Sequence, residues 1–125
     1  MGKFIIKRVP SGVKFNLKAT NGVVLCMSEV YASMGSCRKG IESVKKNAAV
    51  AGLEDQTEEN QAKVKCPKFQ VYADKRGETR FRLLATNGQV IASSGEGYTT
   101  KAACLNGVES VRKNVADAAV EMDAE

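Results

Sequence analysis

The chain has 125 residues, 43% of them hydrophobic, with 19 Lys/Arg against 14 Asp/Glu for a formal net charge of +5. That length allows one domain or two very small ones, and the apolar share excludes wholesale disorder. Histidine is absent, which excludes Ser-His-Asp and Cys-His catalysis and every His-containing metal site.

The opening MGKFIIKRVP holds a short apolar run, Phe4 to Ile6. It is too short for a secretory signal or a membrane span, so a cytoplasmic chain with no membrane attachment is expected. The first strand is read at 4–8. Residues 13–20 follow, with Val13, Phe15, Leu17 and Ala19 alternating with Lys14, Asn16 and Lys18. That period predicts a strand with one buried face. Asn21-Gly22 predicts a two-residue hairpin turn and a third strand at 23–28. The core face then holds Phe15, Leu17, Ala19, Val24 and Cys26. Ser33 is placed to cap a helix, in which Cys37, Ile41, Val44 and Ala48 form one apolar stripe and Lys39, Lys45 and Lys46 turn outward or snorkel at its edge. Gly40 falls mid-helix, where glycine costs about 1 kcal/mol relative to alanine. Its placement there suggests close approach of helix backbone to sheet. The piece GLEDQ (52–56) is read as a short fourth strand.

The same order then returns. FQVYA (69–73) repeats the first strand. FRLLATNGQVI (81–91) matches FNLKATNGVVL (15–25) at seven of eleven positions, and 98–115 matches 31–48 at eight of eighteen. Gly95 is an extra residue in the second copy. Pairing across Asn87-Gly88 sets Ala85 opposite Val90 and Leu83 opposite Ala92. Phe81, Leu83, Ala85, Val90 and Ala92 then share the core face, with Arg80, Arg82, Leu84 and Ile91 on the other. Thr99 or Thr100 caps the second helix. Cys104, Val108, Val111 and Val115 repeat the stripe, Gly107 repeats Gly40, and AVEMD (119–123) repeats the last strand. The organisation is repeat one at 1–56, a polar, acidic linker at 57–67, and repeat two at 68–125. A unit near 60 residues buries only about 60% of its unfolded surface. The two copies are therefore expected to share one sheet and one core.

Three pieces occur in both copies: the LxATNGxVI hairpin, the segment with Ser28, Glu29 and Tyr31 (Ser94, Glu96 and Tyr98), and the C-x-x-G-[IV]-E-S-V-[KR]-K-N helix. Together they resemble the YegP-like family, small bacterial proteins carrying a domain of unknown function, in its tandem-repeat form. The resemblance implies an α+β fold. Two β-β-β-α-β repeats form one pseudo-two-fold antiparallel sheet, both helices pack on one face, and the last strands are exchanged. It brings no catalytic residues. Met34-Gly35 and Gly95 depart from the family pattern. They predict a weaker first turn in the first helix and a bulge near Gly95.

Candidate chemistry is sparse. Cys26, Cys37 and Cys104 are read as buried apolar thiols. Cys66, in the linker, is the best candidate for a reactive thiol. The four cysteines are too widely spaced for zinc, and without an export signal they are expected to be reduced. Glu42/Glu109 and Glu29/Glu96 occur in pairs because the unit is duplicated, so they are read as structural. Glu29 and Glu96 are expected to orient the turn into the helix by binding backbone N–H groups. Asn47 and Asn114 are expected to close the helix ends on the following segment. Tyr31 and Tyr98 are expected to pack between helix start and sheet. Gly95-Glu96-Gly97 lacks the pattern of a phosphate loop. No cofactor or metal is implied.

Charge is uneven. Residues 1–51 hold nine basic against two acidic residues (+7), 52–67 two against four (−2), and 68–125 eight against eight. The outer sheet face is predicted to carry Lys7, Lys14, Asn16 and Lys18 from repeat one, with Tyr72, Arg80 and Arg82 from repeat two. Ile5, Leu25, Leu84 and Ile91 lie on the same face as candidate partner contacts. The chain is read as a non-enzymatic module acting through protein contacts or self-association. The alternative is weak nucleic-acid binding by phosphate contacts and stacking, through Lys7, Lys14, Lys18, Tyr72, Arg80 and Arg82.

Overall fold

A computed structural model describes residues 2–58, 63–95 and 97–122. The elements run β1 (Lys3–Val9), β2 (Gly12–Lys18), β3 (Val24–Met27), α1 (Met34–Ala48) and β4 (Gly52–Asp55). They then repeat as β5 (Lys68–Ala73), β6 (Thr79–Leu84), β7 (Val90–Ser93), α2 (Lys101–Val115) and β8 (Ala119–Met122). The strands form one eight-stranded sheet in the order β4-β5-β6-β7-β3-β2-β1-β8.

The pseudo-two-fold passes between β3 and β7, which meet antiparallel at Met27 and Ser93. The last strands are exchanged: β4 of repeat one pairs with β5, and β8 of repeat two pairs with β1. Both exchanged pairs are parallel, whereas the six inner strands are antiparallel. The sheet is thus antiparallel with a parallel strand added at each edge, a mixed sheet overall. A strand that leaves the end of a helix and crosses to the other repeat arrives running in the direction of that repeat's first strand.

One face of the sheet and both helical stripes close over a single core. Phe4, Phe15, Phe69 and Phe81 are buried within it beside Cys37, Ile41, Val44, Cys104, Val108 and Val111. The N-caps are Ser33, which accepts from the Ser36 N–H, and Thr100, which accepts from the Ala103 N–H. The first helix starts at the position matching the second and keeps its cap, so Met34-Gly35 leaves no visible defect. Lys45 extends over the Phe4 ring and Arg112 over the Phe69 ring, the same contact in each copy.

The hairpin turns differ from the two-residue expectation. Gly22 N–H donates to the Ala19 carbonyl while Ala19 N–H donates to the Val23 carbonyl, and Gly88, Ala85 and Gln89 repeat this. The loops are therefore three residues, Thr20-Asn21-Gly22 and Thr86-Asn87-Gly88. Each ends on a glycine at φ 85°, which relieves the strain a side chain would meet there. The extra loop residue moves the register. Leu83 still faces Ala92, but Leu84 rather than Ala85 faces Val90, and Lys18 faces Val24. Val24 is therefore 37% exposed instead of in the core, and Val90 is half-buried. The ladder irregularities lie at Leu17/Lys18 and Leu83/Leu84, in both copies. Among the described residues Gly95 falls at no ladder irregularity. It lies against Met27, whose Cε would sit 2.9 Å from an added Cβ.

Gly40 and Gly107 make room first for a tyrosine, and at Gly107 the sheet residue Phe81 also comes within 3.2 Å of an added Cβ. A Cβ at either position would fall 2.3 or 2.5 Å from the hydroxyl oxygen of Tyr31 or Tyr98. Each tyrosine ring stacks on the neighbouring phenylalanine of the sheet, Phe15 or Phe81. The glycine opens the space for that ring. Asn47 and Asn114 bond backward, not forward: each side-chain amide donates to the carbonyl four residues earlier, Ser43 or Ser110.

Candidate functional site

The outer sheet face holds every residue of the predicted basic surface, and the two repeats use it differently. In repeat two the face is closed on itself. Glu54 on β4 accepts from Lys68 Nζ at 2.8 Å, Gln70 Nε2 at 2.9 Å, the Val64 N–H at 3.0 Å and Gln56 Nε2 at 3.1 Å. These donors hold its carboxyl at about 2, well below the ordinary range, with the Lys68 ammonium as the largest cause. Lys68 also donates to the Val64 carbonyl. The segment 63–67 therefore lies on this face, fixed through both polar groups of one peptide residue.

Arg82 and Arg80 complete that closed surface. Arg82 Nε donates to Gln70 Oε1 at 2.7 Å, and its guanidinium lies 4.5 Å from the centre of the Tyr72 ring. Arg80 Nε donates to Asp74 at 2.8 Å. Asp74 in turn is held below its ordinary pKa, chiefly by Arg80. The predicted stacking platform Tyr72 thus already carries an arginine on its face, and both arginines have partners within the fold.

Repeat one is open. Lys7 faces Lys14 across the β1–β2 ladder, and Lys3 faces Lys18. Among the described residues Lys7, Lys14 and Lys18 enter no ion pair. Lys14 makes a 3.9 Å contact with the Met27 sulfur. Ile5 occupies the place of Gln70, and Asn16 that of Arg82. The structure therefore separates the six predicted contact residues into an unpaired lysine set and a self-satisfied set.

Beside the seam, Asn16, Val24, Leu25, Met27, Gly95 and Tyr98 help to line a recess of about 470 Å³. Asn16 Oδ1 is buried without a hydrogen-bond partner. Among the described residues the lining holds no carboxylate, ammonium or thiol, so it offers no acid–base pair or nucleophile. No group of three or more Cys, Asp and Glu is arranged to hold a metal among the described residues.

The thiols lie elsewhere. Burial pushes Cys26 up to about 12 and Cys104 up to about 11, and it raises Cys37. These are poor nucleophiles. All four cysteines are free, and Cys66 is half-buried in the 63–67 segment. Glu29 is exposed, and among the described residues its side chain makes no hydrogen bond to the turn backbone; Glu96 lies outside the described residues. The turn is held instead by Ser28 and Ser94, whose hydroxyls accept from the Phe15 and Phe81 N–H groups. The sequence signal for that role was the serine placed identically in both copies. No described helix is long and apolar enough to cross a membrane.

Comparison with known proteins agrees with this architecture. The family described as "Domain of unknown function (DUF1508)" matches residues 12–55 and 74–121, once in each repeat. UPF0339 protein YegP of Yersinia pestis is 37% identical over 115 residues, 91% of this chain and 88% of that protein. A UPF0339 protein of Treponema denticola is 62% identical over 53 residues, 42% of this chain but 90% of that protein, so its length matches one repeat. The solution NMR structure of YegP from E. coli, a protein of unknown function, superposes with a TM-score of 0.76 at 30% identity, covering 98% of this chain and 92% of that one. That of UPF0339 protein SO3888 from Shewanella oneidensis gives 0.77 at 28% identity, covering 97% and 90%.

Proposed function

This chain belongs to the DUF1508 family, and from that premise we propose that it is a non-catalytic binding module. Its working surface is the outer sheet face of repeat one, and its partner is an acidic protein. One observation carries the reading: among the described residues Lys7, Lys14 and Lys18 enter no ion pair, on the face where repeat two pairs or stacks Lys68, Arg80 and Arg82. Lysines crowded across a ladder repel one another. A negatively charged partner removes that repulsion, and the flanking Ile5 gives it an apolar contact. Basic repeat-one faces meeting each other would add to the repulsion, which argues against self-association through this surface. The covered ring of Tyr72 argues against base stacking.

The test is capture of partners by the purified protein and by its Lys7→Glu/Lys14→Glu variant, with and without nuclease. Acidic proteins retained by the parent, lost from the variant and indifferent to nuclease are the expected result. Retention that survives the charge reversal removes the reading. Binding to polynucleotides that falls steeply with salt, and that the same reversal abolishes, replaces it with nucleic-acid binding. Turnover of a small-molecule panel at a useful rate removes the non-catalytic premise.

A further inference from the structure

The chain contains its own template for how a segment docks on this face. In repeat two the Glu54–Lys68 pair grips Val64 by its backbone: the N–H donates to Glu54 and the carbonyl accepts from Lys68. Glu121, on the strand that crosses over from repeat two, forms the same pair with Lys3 at the β1 edge of the sheet. Glu121 faces Ile5 as Glu54 faces Gln70, and Lys3 begins β1 as Lys68 begins β5. That pair is joined at 3.2 Å, but its side chains are 56% and 47% exposed, against 13% and 7% for Lys68 and Glu54. No described residue takes the place of Val64. A recess of about 260 Å³ borders the pair on the outer face, lined also by Ile5, Lys18, Ala19, Thr20 and Gly22.

We infer that this recess is a seat for an extended, acidic segment of a partner protein. The segment is held as Val64 is held, with one backbone N–H donating to Glu121 and the carbonyl of the same residue accepting from Lys3. Three differences between the copies define the occupant. Ile5 replaces Gln70, so Glu121 lacks the side-chain donor that Gln70 gives Glu54 and keeps acceptor capacity for a backbone N–H. Lys18 replaces Leu84 beside the lysine of the pair, which favours acidic flanking residues. Ala119 replaces Gly52, and a Cβ on Gly52 would stand 2.9 Å from Val64 Cγ1. The methyl of Ala119 fills that room, so the occupant's seated side chain is small, alanine or serine rather than valine. This inference rests on the basic-face reading and adds the partner's backbone geometry to it.

A tethered segment tests the seat without needing the partner. Asp-Ala-Glu placed directly before Met1 sets its alanine four residues ahead of Lys3, the spacing Val64 keeps from Lys68. Tethering supplies a high local concentration. Relative to a Gly-Gly-Gly extension, the alanine amide should exchange at least about tenfold more slowly, and the thermal midpoint should rise by about 3 °C. A Lys-Ala-Lys extension should gain less. Glu121→Gln, and separately Lys3→Met, should erase the gain. An alanine amide that exchanges as fast as the glycine control overturns the seat, as does protection that persists in Glu121→Gln. Either failure leaves the Lys7/Lys14 charge-reversal result untouched, so the two readings fall separately.

Discussion

The two repeats agree on the helix-facing side of the sheet and diverge on the other. On the inner face each phenylalanine and tyrosine of one copy has its equivalent in the other, with the same ring contacts, and the glycine that admits each tyrosine recurs in both helices. On the outer face the shared acid–lysine pair is sheltered by segment 63–67 in repeat two and stands in solvent in repeat one. Packing density explains the difference. An inner position is bounded on every side, so a change of one methyl is felt. An outer position drifts until something covers it, and here the linker covers only one copy.

The largest test of this comparison concerns the exchange itself. Residues 1–56 and 57–125 prepared separately should each be unfolded or associated as pairs, because each lacks the edge strand the other supplies; sizing and circular dichroism decide. Two independently folded monomers would break the shared-core account. Next, Glu54→Gln should cost roughly 3 kcal/mol in denaturant melts, since it leaves the Lys68 charge sheltered without its partner. Its counterpart Glu121→Gln should cost less than about 0.5 kcal/mol. Equal costs would erase the distinction between the copies.

Acid sharpens the same contrast. Glu54 is held at about 2, below its ordinary 4.5, so its stabilisation is present above about pH 4.5 and is lost as the pH falls towards 2. A pH series of melts should show that loss in the parent and lack it in Glu54→Gln. On the inner face the copies should behave alike. Gly40→Ala and Gly107→Ala should each cost about 2 kcal/mol, because the tyrosine must move. Val64→Ala should cost about 1 kcal/mol, as expected for a half-buried side chain. A cost well below that would mean the backbone bonds alone hold the segment.

Most of the fold was legible because the duplication displayed each signal twice. The alternation of β2 and β6, both caps and both helical stripes are where the pattern of residues puts them, whereas in β3 Val24 is exposed and Leu25 buried, the reverse of the expectation. The turn was misread by one residue: Asn-Gly is a strong two-residue signal, but the preceding threonine joins the loop and glycine closes it. Gly40 pointed correctly to a close contact but not to its partner: Tyr31 stands just ahead of the helix, and only the packed fold turns its ring back against the helix at Gly40. The candidate face was legible as a set of charges. Which of them are neutralised was not, because Asp74, Gln70 and Glu54 reach their partners through register and through a segment that has no copy to compare with.

The parallel pairing of β1 with β8 has a mechanical consequence. Lys3 opens β1 and Met122 ends β8, and the strands run the same way with Lys3 beside Ala119 and Ile6 beside Met122. Tension applied between residues 3 and 122 pulls the neighbouring strands in opposite senses along their own axes. The ladder bonds across that pair are then loaded together in shear, not peeled one after another as they would be at an antiparallel hairpin pulled from its open end. Crossing the last strand over to the other repeat gives the molecule a force-bearing clamp at its edge.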